Sequence, residues 1–470
     1  MLQLYHTYKR KLLEFKPIKG KKVALYTCGP TVYLFAHIGN MRYFLFEDVL
    51  HRSLAFLGYK VKHVMNITDV GHLTSDEDEG EDKIEKGAKI MGKTVWEVAE
   101  FYTRAFLNDA KALNILNPDI LSKATDNVPE IIDTVEKLVE KGYGYETKQA
   151  IYFDVAKFTD YENLTGQRLE EKIRGAREEV ITDPEKRNPA DFALWFKTVG
   201  RFQNHVMRWP SPWGEGFPGW HIECSVISAK FLGQPFDIHT GGVDHITVHH
   251  ANEIAQSTAA YDRPLANFWL HSEFLLVDGQ KMSKSLNNLY TLADLAGKGY
   301  SPLDFRYLNL TTHYRQKLNF TWQGLHAAHQ AYRNLKSQIR EYDKSGRPDK
   351  KYMEQFSAAL EEFNIWQLIV IFGAKLMWTT VSILALVGSF LLIKNPQKRL
   401  EGIFLTLAAL YFVAVPVIST AFGVSARLRY PADSFLLILA AYALWWLYER
   451  IWIRRNLTTT TSATTQSAGL

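Results

Sequence analysis

The apolar positions follow two regimes along the chain. Up to about Asn364 they form short runs, broken by charges and punctuated by Gly and Pro. Within this region Lys22–Tyr26 is a short run with β-branched and aromatic residues, which predicts a strand. Tyr43–Leu57 has a helical apolar period and ends at Gly58, placed as a helix C′ residue. Val61–Met65 predicts a second strand. Strand, loop, helix and strand in that order predict an α/β fold with a parallel sheet. Thr94–Leu113 and Val128–Lys141 read as amphipathic helices, and Phe236–Ile238 marks a second α/β region after Trp220. Tyr314 to about Asp343 reads as one long helix or a helical pair. The chain has no internal repeat of about 20–50 residues.

Beyond Asn364 the pattern changes. Trp366–Ile393 holds a single charge, Lys375, while Ile403–Phe422 and Ser434–Tyr448 hold none. A bilayer core takes about 20 apolar residues per helix. The first two stretches meet that length and the third is marginal. Trp and Tyr stand near several of their ends, as at a membrane interface. The pattern predicts about three membrane helices over 366–456; the alternative is a set of buried helices. Residues 457–470 are rich in Thr, Ser and Ala and are expected to be disordered.

Length and composition narrow the classes. A chain of 470 residues allows about three domains. With 47% hydrophobic and 22% charged residues, a wholly disordered or collagen-like chain is excluded. The net charge of +5 permits an RNA partner without requiring one. Two cysteines exclude a disulfide scaffold. Residues 1–22 carry many lysines and no long apolar run, so no secretory signal peptide is expected.

Three groups of residues carry candidate chemistry. Cys28 closes the first predicted strand, Cys224 lies in GWHIECS, and His249 and Glu253 are spaced i, i+4 in VHHANE, on one face of a helix. Two thiolates, an imidazole and a carboxylate make a Zn²⁺ ligand set. Spacing alone does not separate this from two plain buried cysteines. His37, Gly39 and Asn40 lie in an AHIGN turn ahead of the first helix, where free N–H groups suit a phosphate. Lys281 and Lys284 flank a serine in KMSKS, either a mobile clamp on polyphosphate or a solvated basic loop. The acidic run Asp76–Asp82 suits Mg²⁺ or simply a solvated loop.

Together these motifs resemble the cysteinyl-tRNA synthetases, a branch of the class I aminoacyl-tRNA synthetases. The resemblance covers about residues 2–364. It rests on CGPTVY at 28–33, AHIGN at 36–40, NITDV at 66–70 and DFALW at 191–195, followed by SPWG, PGWHIECS, DIHTGGVD, HHANEIAQS and KMSKS. Thr240 stands where the family usually has Gly, and Ala251 where it has Glu; NITDV runs into an acidic stretch in place of the commoner Asp-Asp-Lys.

The resemblance implies a Rossmann-type catalytic domain whose halves are 1–115 and 198–300. An inserted domain at 116–197 would contact the tRNA acceptor end. Residues 301–365 would begin a helical region contacting the anticodon stem. It implies ATP-dependent activation of L-cysteine and transfer to the 3′ end of tRNA(Cys), with Zn²⁺ and with Mg²⁺ accompanying ATP, in a cytoplasmic monomer. The implied zinc ligands are Cys28, Cys224, His249 and Glu253, with Thr68 and Trp220 beside the substrate cysteine. His37, Gly39, Asn40, Lys281 and Lys284 would serve the phosphates, and Gly241, Gly242 and Asp244 the adenosine. Two rivals share these motifs: a zinc-dependent ligase that joins cysteine to an amino-sugar, and an inactive membrane-anchored fragment. The tail is different in kind. ARLRYPADSFLLILAAYAL at 426–444 resembles the C-terminal membrane helices of polytopic, lipid-phosphate-sugar-dependent glycosyltransferases. With the catalytic part in the cytoplasm, three spans put Lys394, Lys398 and Arg399 outside, against the positive-inside rule. The expectation is a chimera joined near Ile365, with membrane association only if the tail is genuine.

Overall fold

The structure is a computed structural model that describes residues 2–70, 73, 82–161, 183–283 and 286–341. The chain divides into two units, Met1–Glu362 and Phe363–Leu470, and the described residues all belong to the first. The predicted membrane helices at 366–456, the tail, residues 76–81 of the acidic run and Lys284 lie outside the described residues. Among those described, no helix is long and apolar enough to cross a membrane.

Five parallel strands form the central sheet, in the order Ala266–Ser272, Phe236–Gly242, Lys22–Thr27, Lys60–Ile67 and Ile120–Lys123. Helices cover both faces, as an all-parallel sheet requires. On one face Val23, Leu25 and Ile238 pack against Phe46, Leu50 and Leu54 of the first helix, Ile38–Phe56. On the other, Tyr26 and Val64 pack with Cys224 and Ile227 of helix Trp220–Leu232. Each such aliphatic side chain contributes about 1.5–3 kcal/mol through burial.

The first helix starts at Ile38, five residues ahead of the predicted Tyr43. The reason is local. His37 and Asn40 form a reciprocal cap: the Asn40 N–H donates to His37 Nδ1 at 3.2 Å, and the His37 N–H donates to Asn40 Oδ1 at 3.1 Å. This satisfies two amides that a helix start otherwise leaves open.

The predicted helix from Tyr314 instead begins at Trp322 and runs to Glu341. Leu318–Phe320 ahead of it is a strand, parallel to Leu275–Val277. Leu318 and Phe320 are buried and Asn319 between them is exposed, so a period of two prevails over the helical one there. Gln280–Lys281 pairs antiparallel with Leu275–Val277 and completes a three-stranded sheet.

An antiparallel sheet assembles Gly144–Glu146, Ala150–Phe153, Phe192–Lys197, Gly214–Pro218 and Trp209–Ser211. The DFALW stretch is its centre. Trp195 is fully buried, and Asp191 accepts from the Tyr145 hydroxyl at 2.6 Å and the Val155 amide at 3.0 Å. Ile120–Lys123, by contrast, is the edge strand of the central sheet, although it lies within the segment 116–197 expected to form an inserted domain.

Asp109 yields a test of the folded state. It lies in the last turn of helix Val95–Ala112, where the helix dipole opposes a negative charge. Burial raises its pKa to about 6 from an ordinary 3.8. The folded chain therefore binds more protons than the unfolded chain between those values, and stability falls as pH rises through that window. Asp109→Asn is expected to raise the Tm at pH 7 by about 1–3 °C and to change nothing near pH 4. Thermal melts at the two pH values check this; an equal gain at both would assign the effect to something other than the carboxyl charge.

Candidate active site

In an open parallel sheet, the crevice beyond the strand ends opens where neighbouring connections diverge. Here that point lies between Lys22–Thr27 and Phe236–Gly242. A cavity of about 480 Å³ is found there, and its walls include Cys28, Thr68, Trp220, Gly242, Asp244 and His249. His37, Gly39, Asn40 and Lys281 line the same cavity.

Cys28, Cys224 and His249 of its lining converge with Glu253 just behind them. One ligand atom from each lies within 4.8 Å of all the others, and all four residues are buried. Cys28 Sγ and Cys224 Sγ are 3.8 Å apart. His249 Nε2 is 3.4 Å from Cys224 Sγ and 3.1 Å from Glu253 Oε1. Helix His249–Tyr261 supplies the i, i+4 pair, and helix Trp220–Leu232 supplies Cys224. Burial pushes the Cys28 thiol well up, and Cys224 and Glu253 beside it add to this. Burial raises the Cys224 thiol as well. Two thiols that resist ionisation beside a wholly buried carboxylate fit a divalent cation, whose charge reverses that preference.

Further histidines surround the quartet. His239 Nε2 is 3.0 Å from Glu253 Oε2, and His250 Nε2 is 3.3 Å from Cys28 Sγ. His250 Nδ1 meets His271 Nε2 at 2.8 Å, and His271 Nδ1 meets Thr7 Oγ1 at 2.8 Å. His221 Nδ1 lies 3.0 Å from His249 Nδ1. Cys28, His239, His250 and Glu253 form a second, overlapping set of possible ligands. Gly241 accommodates this crowding, because a Cβ there would overlap the His250 ring.

The cap on the first helix has a chemical consequence. His37 Nδ1 accepts the Asn40 amide, so a neutral His37 carries its proton on Nε2. Burial lowers the His37 pKa and so favours that neutral form. The ring thus presents an N–H donor beside a helix N-terminus, the arrangement that suits phosphate oxygens.

The segment that follows the KMSKS motif is tied to the start of the first helix through the backbone. The Ile38 amide donates to the Tyr290 carbonyl at 2.8 Å, and His37 bridges to Thr291. Lys281 ends the strand Gln280–Lys281, the Ser283 amide donates to Asn288 Oδ1 at 2.8 Å, and Lys284 is outside the described residues.

Sequence reasoning missed several wall residues. Asn66 Oδ1 accepts the Gly29 amide at 2.7 Å, and Asn66 Nδ2 donates to Thr68 Oγ1 at 3.1 Å. Thr68 in turn donates to buried Glu223 at 2.8 Å, so its orientation is set from behind. A Cβ on Gly29 would overlap the Asn66 carbonyl. Asn66 and Glu223 stand inside the NITDV and GWHIECS motifs, which were their one available signal. The unusual Thr240 donates to Glu47 Oε1 at 2.7 Å. Burial pushes the Glu47 carboxyl well up, partly offset by its hydroxyl donors. Ala251 is fully buried in helix His249–Tyr261.

Comparison with known proteins places this geometry. A family model described as the class I (C) tRNA synthetase catalytic domain matches residues 14–330. A cysteine–tRNA ligase of Treponema denticola is 48% identical over 364 residues, covering 77% of this chain and 73% of its own. Cysteine–tRNA ligase 1 of Burkholderia lata is 49% identical over 362 residues, covering 77% and 76%. The Thermus thermophilus enzyme of that name is 46% identical over 340 residues, covering 72% and 69%. Among solved structures, Mycobacterium tuberculosis methionyl-tRNA synthetase with methionyl-adenylate aligns with a TM-score of 0.50 at 15% identity, covering 90% of each chain, a likeness of fold.

Proposed function

The chain belongs to the class I cysteine–tRNA ligase family, and from that membership we propose how its own residues carry the reaction. The activity is the ATP-dependent joining of cysteine to tRNA. In the first step a cysteine carboxylate oxygen attacks the α-phosphorus of ATP, and the bond to the β-phosphate bridging oxygen breaks. Cysteinyl-adenylate and pyrophosphate result. In the second, a ribose hydroxyl of the terminal tRNA adenosine attacks the acyl carbon and AMP leaves. Neither step uses a protein nucleophile, so the chain contributes position and charge stabilisation.

His37 Nε2–H and Asn40, at the helix N-terminus, hold phosphate oxygens. Lys281 and Lys284 stabilise the crowded α-phosphorus and the departing pyrophosphate, alongside the Mg²⁺ that ATP brings. Gly241, Gly242 and Asp244 border the adenosine. Trp220 and Thr68 line the cysteine pocket, with Thr68 oriented through Glu223. Cys28, Cys224, His249 and Glu253 hold Zn²⁺, which when bound supplies a soft Lewis acid that takes a thiolate and accepts a serine hydroxyl poorly. The inserted region that carries the antiparallel sheet from Gly144 to Pro218 contacts the acceptor end of tRNA, and 301–365 begins the surface for the anticodon stem. The catalytic part acts in the cytoplasm, where ATP and tRNA meet.

One observation carries this reading. Cys28, Cys224 and His249 of the buried ligand set stand on the wall of the same cavity as His37, Asn40 and Lys281, with Glu253 behind them within ligand distance. Pyrophosphate exchange into ATP is expected with cysteine and absent with serine, and added tRNA is expected to take up labelled cysteine. Exchange that proceeds while an amino-sugar, and not tRNA, accepts the cysteinyl group would overturn the acceptor assignment.

A further inference from the structure

Arg42 lies two residues beyond Asn40 on the first helix and is only 3% exposed. Its guanidinium is spent mainly on backbone carbonyls. Nε donates to Glu273 O at 3.0 Å, and Nη2 donates to Gln316 O at 2.5 Å and His313 O at 3.4 Å. Nη1 is 3.5 Å from Asn309 Oδ1. These carbonyls stand at the roots of two strands: Glu273 just ahead of Leu275–Val277, and Gln316 just ahead of Leu318–Phe320. The two strands pair in parallel, and the first also pairs with Gln280–Lys281. Arg42 therefore grips the base of the small sheet whose edge carries Lys281. One turn along the same helix, Phe46 stacks on Tyr314, with centroids 4.4 Å apart and planes at 15°. Helix and sheet are thus joined at two adjacent points.

We propose that Arg42 is a positioning residue for cysteine activation: it fixes the strand Gln280–Lys281 against the 37–40 turn and does not itself touch ATP. This rests on the reading above, in which those two motifs act together on the phosphates. The choice of residue follows from geometry. Arg presents its donors in a rigid planar fork, whereas a lysine ammonium is a compact point that cannot meet carbonyls on several sides. Burial lowers the Arg42 pKa only to about 10, so the group stays charged at neutral pH.

The test uses the full chain carrying Arg42→Gln, Arg42→Lys or Arg42→Ala, with pyrophosphate exchange titrated separately in ATP and in cysteine. Each variant is expected to lose about a hundredfold in kcat/KM for ATP, the scale of a misplaced reacting group. The KM for cysteine is expected to stay within about twofold, since the partners of Arg42, namely Glu273, Asn309, His313 and Gln316, include none of Cys28, Thr68, Trp220, Cys224 and His249. Millimolar guanidinium is expected to restore part of the ATP kinetics of Arg42→Ala by refilling the vacated site. A merely structural defect would lower both substrates' parameters in step with the folded fraction, and guanidinium would not help. That result overturns the proposal, as do unchanged ATP kinetics in a folded variant. Lack of exchange by the unmodified chain would instead refute the underlying reading.

Discussion

Cys224→Ser is expected to strip the chain of tightly held zinc and to lower cysteine-dependent pyrophosphate exchange by more than about a hundredfold. The substitution changes one sulfur to oxygen in a fully buried position, so packing is nearly preserved and the loss reports on ligation. Serine cannot supply a thiolate, and its hydroxyl is far too weak an acid to ionise beside Glu253 and Cys28. The remaining three groups would then face a dication with one strong donor missing. Metal analysis after dialysis, read together with exchange rates, checks this. A variant that keeps one zinc per chain and near-normal exchange would falsify the ligand assignment. If zinc is kept and exchange lost, the overlapping set with His239 and His250 has taken over ligation.

Lys284→Ala is expected to reduce the turnover of activation by about a hundredfold or more while leaving the KM for cysteine within about twofold. Charge accumulates on the α-phosphate oxygens and the leaving pyrophosphate only as the reaction proceeds. A cation placed there acts on the transition state more than on bound substrate. In the proposed reading the substrate's thiol is held by the metal ligands and not by the lysines. Single-turnover formation of cysteinyl-adenylate separates the two effects. Unchanged turnover would remove Lys284 from the chemistry and leave Lys281, whose strand is fixed by pairing with Leu276, as the remaining cation of the motif.

The sequence disclosed the chemistry more readily than the supports around it. Cys28 and Cys224 stood out because the chain has no other cysteine, and His249 and Glu253 because a helix places i and i+4 on one face. Three strands of the central sheet, Lys22–Thr27, Lys60–Ile67 and Phe236–Gly242, were legible as short apolar runs, whereas Ile120–Lys123 and Ala266–Ser272 were not. Other features left little trace. The relay from Cys28 through His250 and His271 to Thr7 joins residues up to 264 positions apart, and no local pattern announces it. Arg42 was silent because its partners are carbonyls, which every residue possesses. The strand Leu318–Phe320 was hidden by its brevity, since three residues fit a helical period as easily as an alternating one. Glu223 read as an ordinary polar residue until its buried contact with Thr68 appeared.

The reciprocal cap at His37 and Asn40 bears on any attempt to make this chain more heat-resistant. Serine and aspartate start helices well and are standard substitutions at such a position. Here the capping residue also lines the cavity, and the proposed reading uses its Nε2–H on a phosphate oxygen, a donor that neither replacement reproduces. A selection for thermal survival alone would therefore favour, at residue 37, chains that fold well and turn over poorly. Heat-resistance and turnover are opposed at that one side chain, so improvement has to be sought elsewhere, for example at Asp109, where the unfavourable charge faces no substrate.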